Sequence, residues 1–219
     1  MKENNMHDPL DLIAKNQAWA AEMISDDPQF FERLANQQAP AYLWIGCSDS
    51  RVPATQLVAL PPGQMFVHRN VANVVVHSDL NCLAVLQYAV EVLRVRHIIV
   101  CGHYSCGGVD AALHNRTFGL IDNWLRHVQD VRNKHGELLA ICHDDTARMR
   151  RLCELNVIEQ VVNVCQTTMV QGAWQRDQDL AVHGWIYGVA DGLLRDLRIT
   201  VAHAEQLAAS YQLALSLLR

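Results

Sequence analysis

Short runs of consecutive apolar residues alternate along this chain with longer stretches whose apolar positions recur every three or four residues. Runs of the first kind read as strands buried on both faces, and stretches of the second kind read as helices. Ala41–Gly46 (AYLWIG) and His97–Gly102 (HIIVCG) are the clearest strands, and Gln64–Asn70 (QMFVHRN) is another. Leu180–Val189 (LAVHGWIYGV) predicts a further strand, with Gly192–Thr200 (GLLRDLRIT) placed to pair with it. Asp8-Pro9 and Asp27-Pro28 each offer an N-cap followed by proline at the first helical position, so two short helices are expected at the start. In the first of them Leu10, Ile13, Ala14 and Gln17 recur at helical spacing. Ser78-Asp79 caps a long helix carrying Leu80, Leu83, Leu86, Tyr88, Val90 and Leu93. From Gly107 to about Gln175 the pattern is mostly helical, His135–Asp145 (HGELLAICHDD) reads as a solvated connection, and His203–Leu218 reads as a closing helix.

Apolar strands alternating with helices predict an α/β fold. Its mainly parallel central sheet has about four parallel strands plus an antiparallel edge strand and is flanked by helices. No repeat, low-complexity stretch or linker interrupts the chain, so one domain is expected, residues 1–38 forming a helical arm and 39–219 the core.

Composition narrows the function classes. Half of the 219 residues are hydrophobic and the net charge is −5, with no basic block to neutralise phosphates, which argues against nucleic acid as a partner. No apolar run reaches the roughly 20 residues of a membrane span. The opening MKENNMHDPLDL has no apolar signal core, so a cytoplasmic protein is expected. In that compartment the seven cysteines point to metal binding, catalysis or burial rather than disulfides.

Ligands of open parallel sheets sit at the carboxyl ends of strands. Two of the predicted strands end in unusual chemistry. Cys47-Ser48-Asp49-Ser50-Arg51 follows the first and His103-Tyr104-Ser105-Cys106-Gly107-Gly108 follows another. If those strands are neighbours, Cys47, Asp49, His103 and Cys106 converge, and two thiolates, an imidazole and a carboxylate suit zinc better than magnesium or calcium. Cys101 reads as core, and Cys82, Cys142, Cys153 and Cys165 fall in helical segments without partner spacing. Nothing in the pattern selects a proton relay among His68, His77, His114, His127, His135, His143 and His183.

CSDSR, HRNVAN (His68–Asn73) and GHYSCGG (Gly102–Gly108) together resemble the β-class carbonic anhydrases, whose motif set is C-x-D-x-R, R-N-x-A-N and H-x-x-C-G-G. The resemblance implies a zinc enzyme interconverting carbon dioxide and bicarbonate, with one zinc per chain held by Cys47, His103 and Cys106. Asp49 would be a fourth ligand in a closed form. In an open form it would pair with Arg51 and leave that position to water, whose pKa zinc lowers towards about 7. Phe66, Val71 and Tyr88 would wall the substrate pocket, with the amides of Gln38 and Gly107 as polar contacts. Such pockets lie at a dimer interface in the family, so a homodimer is expected, with a dimer of dimers as its extension. Tyr104 stands where smaller residues are usual.

Trp44, Arg69 and Tyr187 match the residues that form a non-catalytic bicarbonate pocket in the bicarbonate-regulated subgroup, and bicarbonate there would favour the closed form. Three alternatives stay open. They are a hydrolase of carbonyl sulfide or carbon disulfide on the same scaffold, a non-catalytic zinc domain or bicarbonate sensor, and a thiol redox protein, the last disfavoured by the lack of C-x-x-C.

Overall fold

The computed structural model describes residues 8–36 and 38–218. These fall into two compact units, Met1–Gln38 and Ala39–Arg219.

The first unit holds α1 (Pro9–Asp26) and α2 (Phe30–Asn36). Asp8 caps α1 by accepting from Leu10 N, and Pro9 occupies the first turn. With no further proline or glycine before Pro28, α1 runs for 18 residues and is not the short helix expected. Trp19, Phe30 and Phe31 meet edge to face with ring centroids 5.0–6.5 Å apart.

The second unit is built on five strands: β1 (Tyr42–Cys47), β2 (Met65–Asn70), β3 (His97–His103), β4 (Ala181–Tyr187) and β5 (Leu194–Val201). Their order is β2-β1-β3-β4-β5, parallel except for the antiparallel β4–β5 edge pair. Between β1 and β2 come the short α3 (Ala54–Leu57), then α4 (Leu80–Gln87) before β3. Asp79 caps α4 by accepting from Asn81 N, and the helix continues as one wider turn through Val92. Between β3 and β4 lie α5 (Gly107–Leu113), α6 (Ile121–Lys134), α7 (Gly136–Ala140), α8 (Asp145–Cys165) and α9 (Thr168–Gln175), and α10 (Leu207–Ser216) closes the chain. The predicted mainly parallel α/β sheet with an antiparallel edge is therefore present.

From β1 the chain moves outward to β2, then returns across β1 to β3 and continues to the other side. Strand order reverses between β1 and β3, which opens a crevice at their carboxyl ends. The central helix α8 packs on this sheet with Leu152, Leu155, Val157, Ile158 and Val161 fully buried. Its close approach depends on Gly102, where a Cβ would stand 2.5 Å from Val157 Cγ2.

The stretch expected to be a solvated connection is partly structural. His135 and Leu139 are buried, and α7 forms there, though Cys142 lies in the loop beyond it and not in a helix. The reason is Glu159 on α8, a buried carboxylate that cannot be seen from the local pattern. His135 Nε2 (2.7 Å) and Tyr211 OH (2.7 Å) donate to its Oε1, and Lys134 Nζ (2.8 Å) donates to its Oε2. Burial alone would raise the Glu159 carboxyl, but these three donors outweigh it and bring it from 4.5 down to about 2. A depressed carboxyl stabilises the fold above its unfolded value and loses that contribution as pH falls through the folded one. Glu159→Gln is therefore expected to cost about 2–3 kcal/mol at pH 7. Urea unfolding should show the gap to wild type closing between about pH 4.5 and pH 2. A gap that stays constant over that range contradicts the assignment.

Candidate metal centre

The crevice between β1 and β3 gathers Cys47 from the end of β1, His103 from the end of β3, and Cys106 from the turn that follows. All three are buried, and their ligand atoms lie within 4.8 Å of one another. The two sulfurs are 3.9 Å apart. A hydrogen bond from Cys106 draws the Cys47 thiol well below the ordinary thiol range, and pairing with that sulfur pushes Cys106 upward. Two thiolates this close need a cation between them to ionise together.

The imidazole is turned to meet that need. His103 Nδ1 donates to the Tyr104 carbonyl at 3.0 Å, which leaves the lone pair on Nε2 facing the sulfurs. Nε2 is buried and has no hydrogen-bond partner among the described residues. An orphaned buried acceptor beside two convergent thiols is an arrangement that a tetrahedral, soft-ligand metal completes, so zinc fits this donor set.

The segment Arg69–Asn73 shapes the surroundings. Asn70 locks Val74 from both sides, its Oδ1 accepting from Val74 N (2.8 Å) and its Nδ2 donating to Val74 O (2.7 Å). Asn156 Nδ2 on α8 holds the Ala72 carbonyl at 2.9 Å. Held this way, Ala72 adopts φ 63 and its backbone N–H reaches Cys47, as does that of Asp49; Val109 supplies one to Cys106. Backbone donors of this kind favour the thiolate forms. The sequence pattern did not reveal them, because only the paired asparagines of the NVAN block hint at a locked turn.

Asp49 is beside the cluster rather than in it. Arg51 grips it as a fork, Nε to Oδ1 at 2.9 Å and Nη2 to Oδ2 at 2.7 Å, with Arg51 N adding 2.9 Å to Oδ1. The Arg51 guanidinium holds the Asp49 carboxyl far below the ordinary carboxylate range. Its Oδ2 lies 3.7 Å from His103 Nε2. Of the two arrangements expected for Asp49, the structure contains the one paired with Arg51. Arg51 Nη2 also reaches the Ser105 carbonyl at 3.3 Å.

The remaining expected residues divide. Trp44 is fully buried, and its indole lies over Gly46, where a Cβ would be 2.3 Å from Nε1. That Nε1 has no acceptor among the described residues. Arg69 pairs in register with Gly46, and Tyr187 stands two residues along β4 from the partner of Cys101, so Trp44, Arg69 and Tyr187 share one sheet face. Arg69 Nε donates to the Cys47 carbonyl (2.8 Å) and its Nη2 to the Asp49 carbonyl. Val71 lies beside the site, 3.0 Å from where a Gly108 Cβ would be, and Gly107 follows Cys106 directly.

Phe66 and Tyr88 do not reach the cluster within one chain. They pack on each other at 5.8 Å, but Phe66 pairs with Leu43, four residues back along β1 from Cys47 and so about 13 Å away along the strand. Gln38 ends the first unit and is exposed.

A second group, His68, Asp79 and Cys82, also brings its ligand atoms within 4.8 Å of one another. Its chemistry does not suit a cation. The Asn70 amide, fixed by Val74, donates from Nδ2 to His68 Nε2 at 3.2 Å, so the ring proton sits on Nδ1 and no lone pair is left over. Asp79 already caps α4.

Comparison with known proteins agrees with this geometry. The family model described as carbonic anhydrase matches residues 42–194. A carbonic anhydrase of Emericella nidulans is 48% identical over 188 residues, covering 86% of this chain and 82% of the relative. The Coccomyxa β-carbonic anhydrase, solved in complex with acetazolamide, superposes with a TM-score of 0.88 at 39% identity over 97% of this chain and 98% of that one. One of two tetrameric β-carbonic anhydrases of Sordaria macrospora gives 0.84 at 40% identity, covering 87% of this chain and 97% of its own. With its two thiols and one imidazole gathered at the strand crossover and its sequence and fold shared with these relatives, the chain belongs to the carbonic anhydrase family, in its β class.

Proposed function

We propose that this chain hydrates carbon dioxide reversibly to bicarbonate and a proton, with Cys47, His103 and Cys106 holding one zinc ion and with Asp49 and Arg51 as its catalytic pair. The observation that carries this reading is the orphaned His103 Nε2 facing two convergent thiols, with the forked Asp49–Arg51 pair at 3.7 Å from it. Zinc in that donor set supplies a Lewis acid that makes water nucleophilic near neutral pH. The chain does the rest. Arg51 keeps Asp49 ionised, so the carboxylate is an acceptor only. Held there by three hydrogen bonds from Arg51, Asp49 offers Oδ2 as a fixed hydrogen-bond acceptor for the O–H of the attacking oxygen, which turns that oxygen's lone pair towards the carbon. The Gly107 amide is a donor for the oxygen on which charge develops, and Val71 keeps the pocket apolar.

Phe66 and Tyr88 are assigned to the same pocket, but of a second copy. Phe66 sits too far back along β2 to wall its own site, Tyr88 in the wider turn after α4 packs on it and is exposed, and β2 is an edge strand. Leu10, Leu12, Ile13 and Ile24 of α1 are exposed too, an apolar surface that suits burial in a homodimer. A dimer of dimers extends the same arrangement. A reducing, cytoplasmic compartment suits seven free cysteines.

Bicarbonate acts as an inhibitor at Trp44, Arg69 and Tyr187. The unpartnered indole Nε1 supports an anion there. Arg69 links that place to the carbonyls of Cys47 and Asp49, so drawing its guanidinium towards an anion loosens the segment that keeps Asp49 on Arg51.

Stopped-flow hydration of carbon dioxide on zinc-verified protein tests the whole reading. Activity low near pH 7 and rising steeply towards pH 9 is expected, with bicarbonate inhibition relieved about tenfold in Trp44→Phe while zinc stays bound. Absence of activity at every pH, or hydrolysis of carbonyl sulfide alone, overturns the reaction; unchanged inhibition in Trp44→Phe overturns the regulatory site.

A further inference from the structure

Tyr104 sits between two metal ligands, and its backbone is used on every side. Its N–H donates to the Tyr187 carbonyl at 3.0 Å, and its own carbonyl receives His103 Nδ1 at 3.0 Å. The next residue, Ser105, has φ +59, a left-handed conformation costing about 1 kcal/mol for a residue with a side chain. The Ser105 carbonyl accepts from Arg51. Something must hold so constrained a turn in place.

The Tyr104 side chain is the anchor. It is buried, yet ends in a hydroxyl that donates to Glu154 Oε1 on α8 at 2.6 Å. Arg150 covers its ring with the guanidinium 3.7 Å from the centroid, and Arg151 Nε lies 3.5 Å from the other Glu154 oxygen. A phenylalanine would fill the same volume without the cost of desolvating a hydroxyl and a carboxylate. The pair therefore adds orientation, not bulk.

We propose that Tyr104, tied by its hydroxyl to Glu154, is a positioning residue that aims the His103 imidazole and fixes the Ser105 turn for metal retention. This rests on the assignment of Cys47, His103 and Cys106 as the zinc ligands. Partners that orient a ligating histidine typically affect metal affinity about 10–100-fold. In the full-length zinc-loaded protein, Tyr104→Phe and Glu154→Ala are each expected to release zinc to a chromophoric chelator about tenfold faster. The double variant is expected to be no faster than either single one, because the two side chains act as one unit. Glu154→Gln keeps an acceptor for the hydroxyl and is expected within about threefold of wild type.

Cobalt-substituted protein supplies a second readout: the visible ligand-field bands should shift in Tyr104→Phe. Release rates within twofold of wild type overturn the proposal. So do effects that multiply in the double variant, or a loss of melting temperature equal in zinc-free and zinc-loaded protein with no faster release. If wild-type cobalt protein shows no thiolate-to-cobalt absorption, the ligand assignment itself falls, a result distinct from unaltered release in a protein that does show it.

Discussion

Cys106→Ser protein is expected to purify with almost no zinc and to hydrate carbon dioxide on the order of 10³-fold more slowly than wild type. The thiol is 3.9 Å from Cys47 and buried, and a serine hydroxyl there neither ionises at neutral pH nor offers a soft donor. The remaining thiol and imidazole cannot by themselves complete a tetrahedral site. Cys142→Ser is the matched control, because Cys142 lies in a loop with its sulfur directed at the Leu138 carbonyl. It should keep both zinc and rate. Zinc analysis and stopped-flow hydration check the pair of variants together, and retention of one zinc per chain by Cys106→Ser contradicts the ligand set.

Arg51→Ala is expected to lower the hydration rate at pH 7.5 by about 10²-fold while zinc stays bound. Without the fork, Asp49 loses the two guanidinium bonds of 2.9 and 2.7 Å. Its Oδ2 already stands 3.7 Å from His103 Nε2, so the freed carboxylate would be near enough to join Cys47, His103 and Cys106 as a further zinc ligand. Arg51→Lys keeps the charge without the two-pronged geometry and should fall between the two. Rate and zinc content must be read together. Activity within threefold of wild type would mean that Arg51 does not control Asp49, and loss of zinc would make it a structural support.

The parts of this centre that could be read in advance are those in which local pattern and chemistry coincide. AYLWIG and HIIVCG are apolar enough to be central strands, and the residues after them carry thiol, imidazole and carboxylate, so the crevice between β1 and β3 is legible in the sequence. Register is not. Phe66 and Tyr88 were expected to wall the pocket, and only the pairing of Phe66 with Leu43 shows that their own chain's metal lies out of reach. Buried polar partners across long separations were equally hidden. Glu159 gathers His135 and Tyr211, and Glu154 takes the Tyr104 hydroxyl, over 24 to 52 residues of chain. No hydropathy period encodes such a contact, because helix α8 is buried on nearly every side from Leu152 onward and its two glutamates look locally like interruptions. The positive φ of Ala72 and Ser105 likewise comes from what holds them, not from their residue types.

Zinc-edge X-ray absorption of the wild-type protein at about pH 8.5 tests the central claim most directly. Two sulfur scatterers at about 2.3 Å, from Cys47 and Cys106, and two lighter ones at about 2.0 Å, the His103 nitrogen and a solvent oxygen, are predicted. Fewer than two sulfurs, or a shell of nitrogen and oxygen alone, would contradict it.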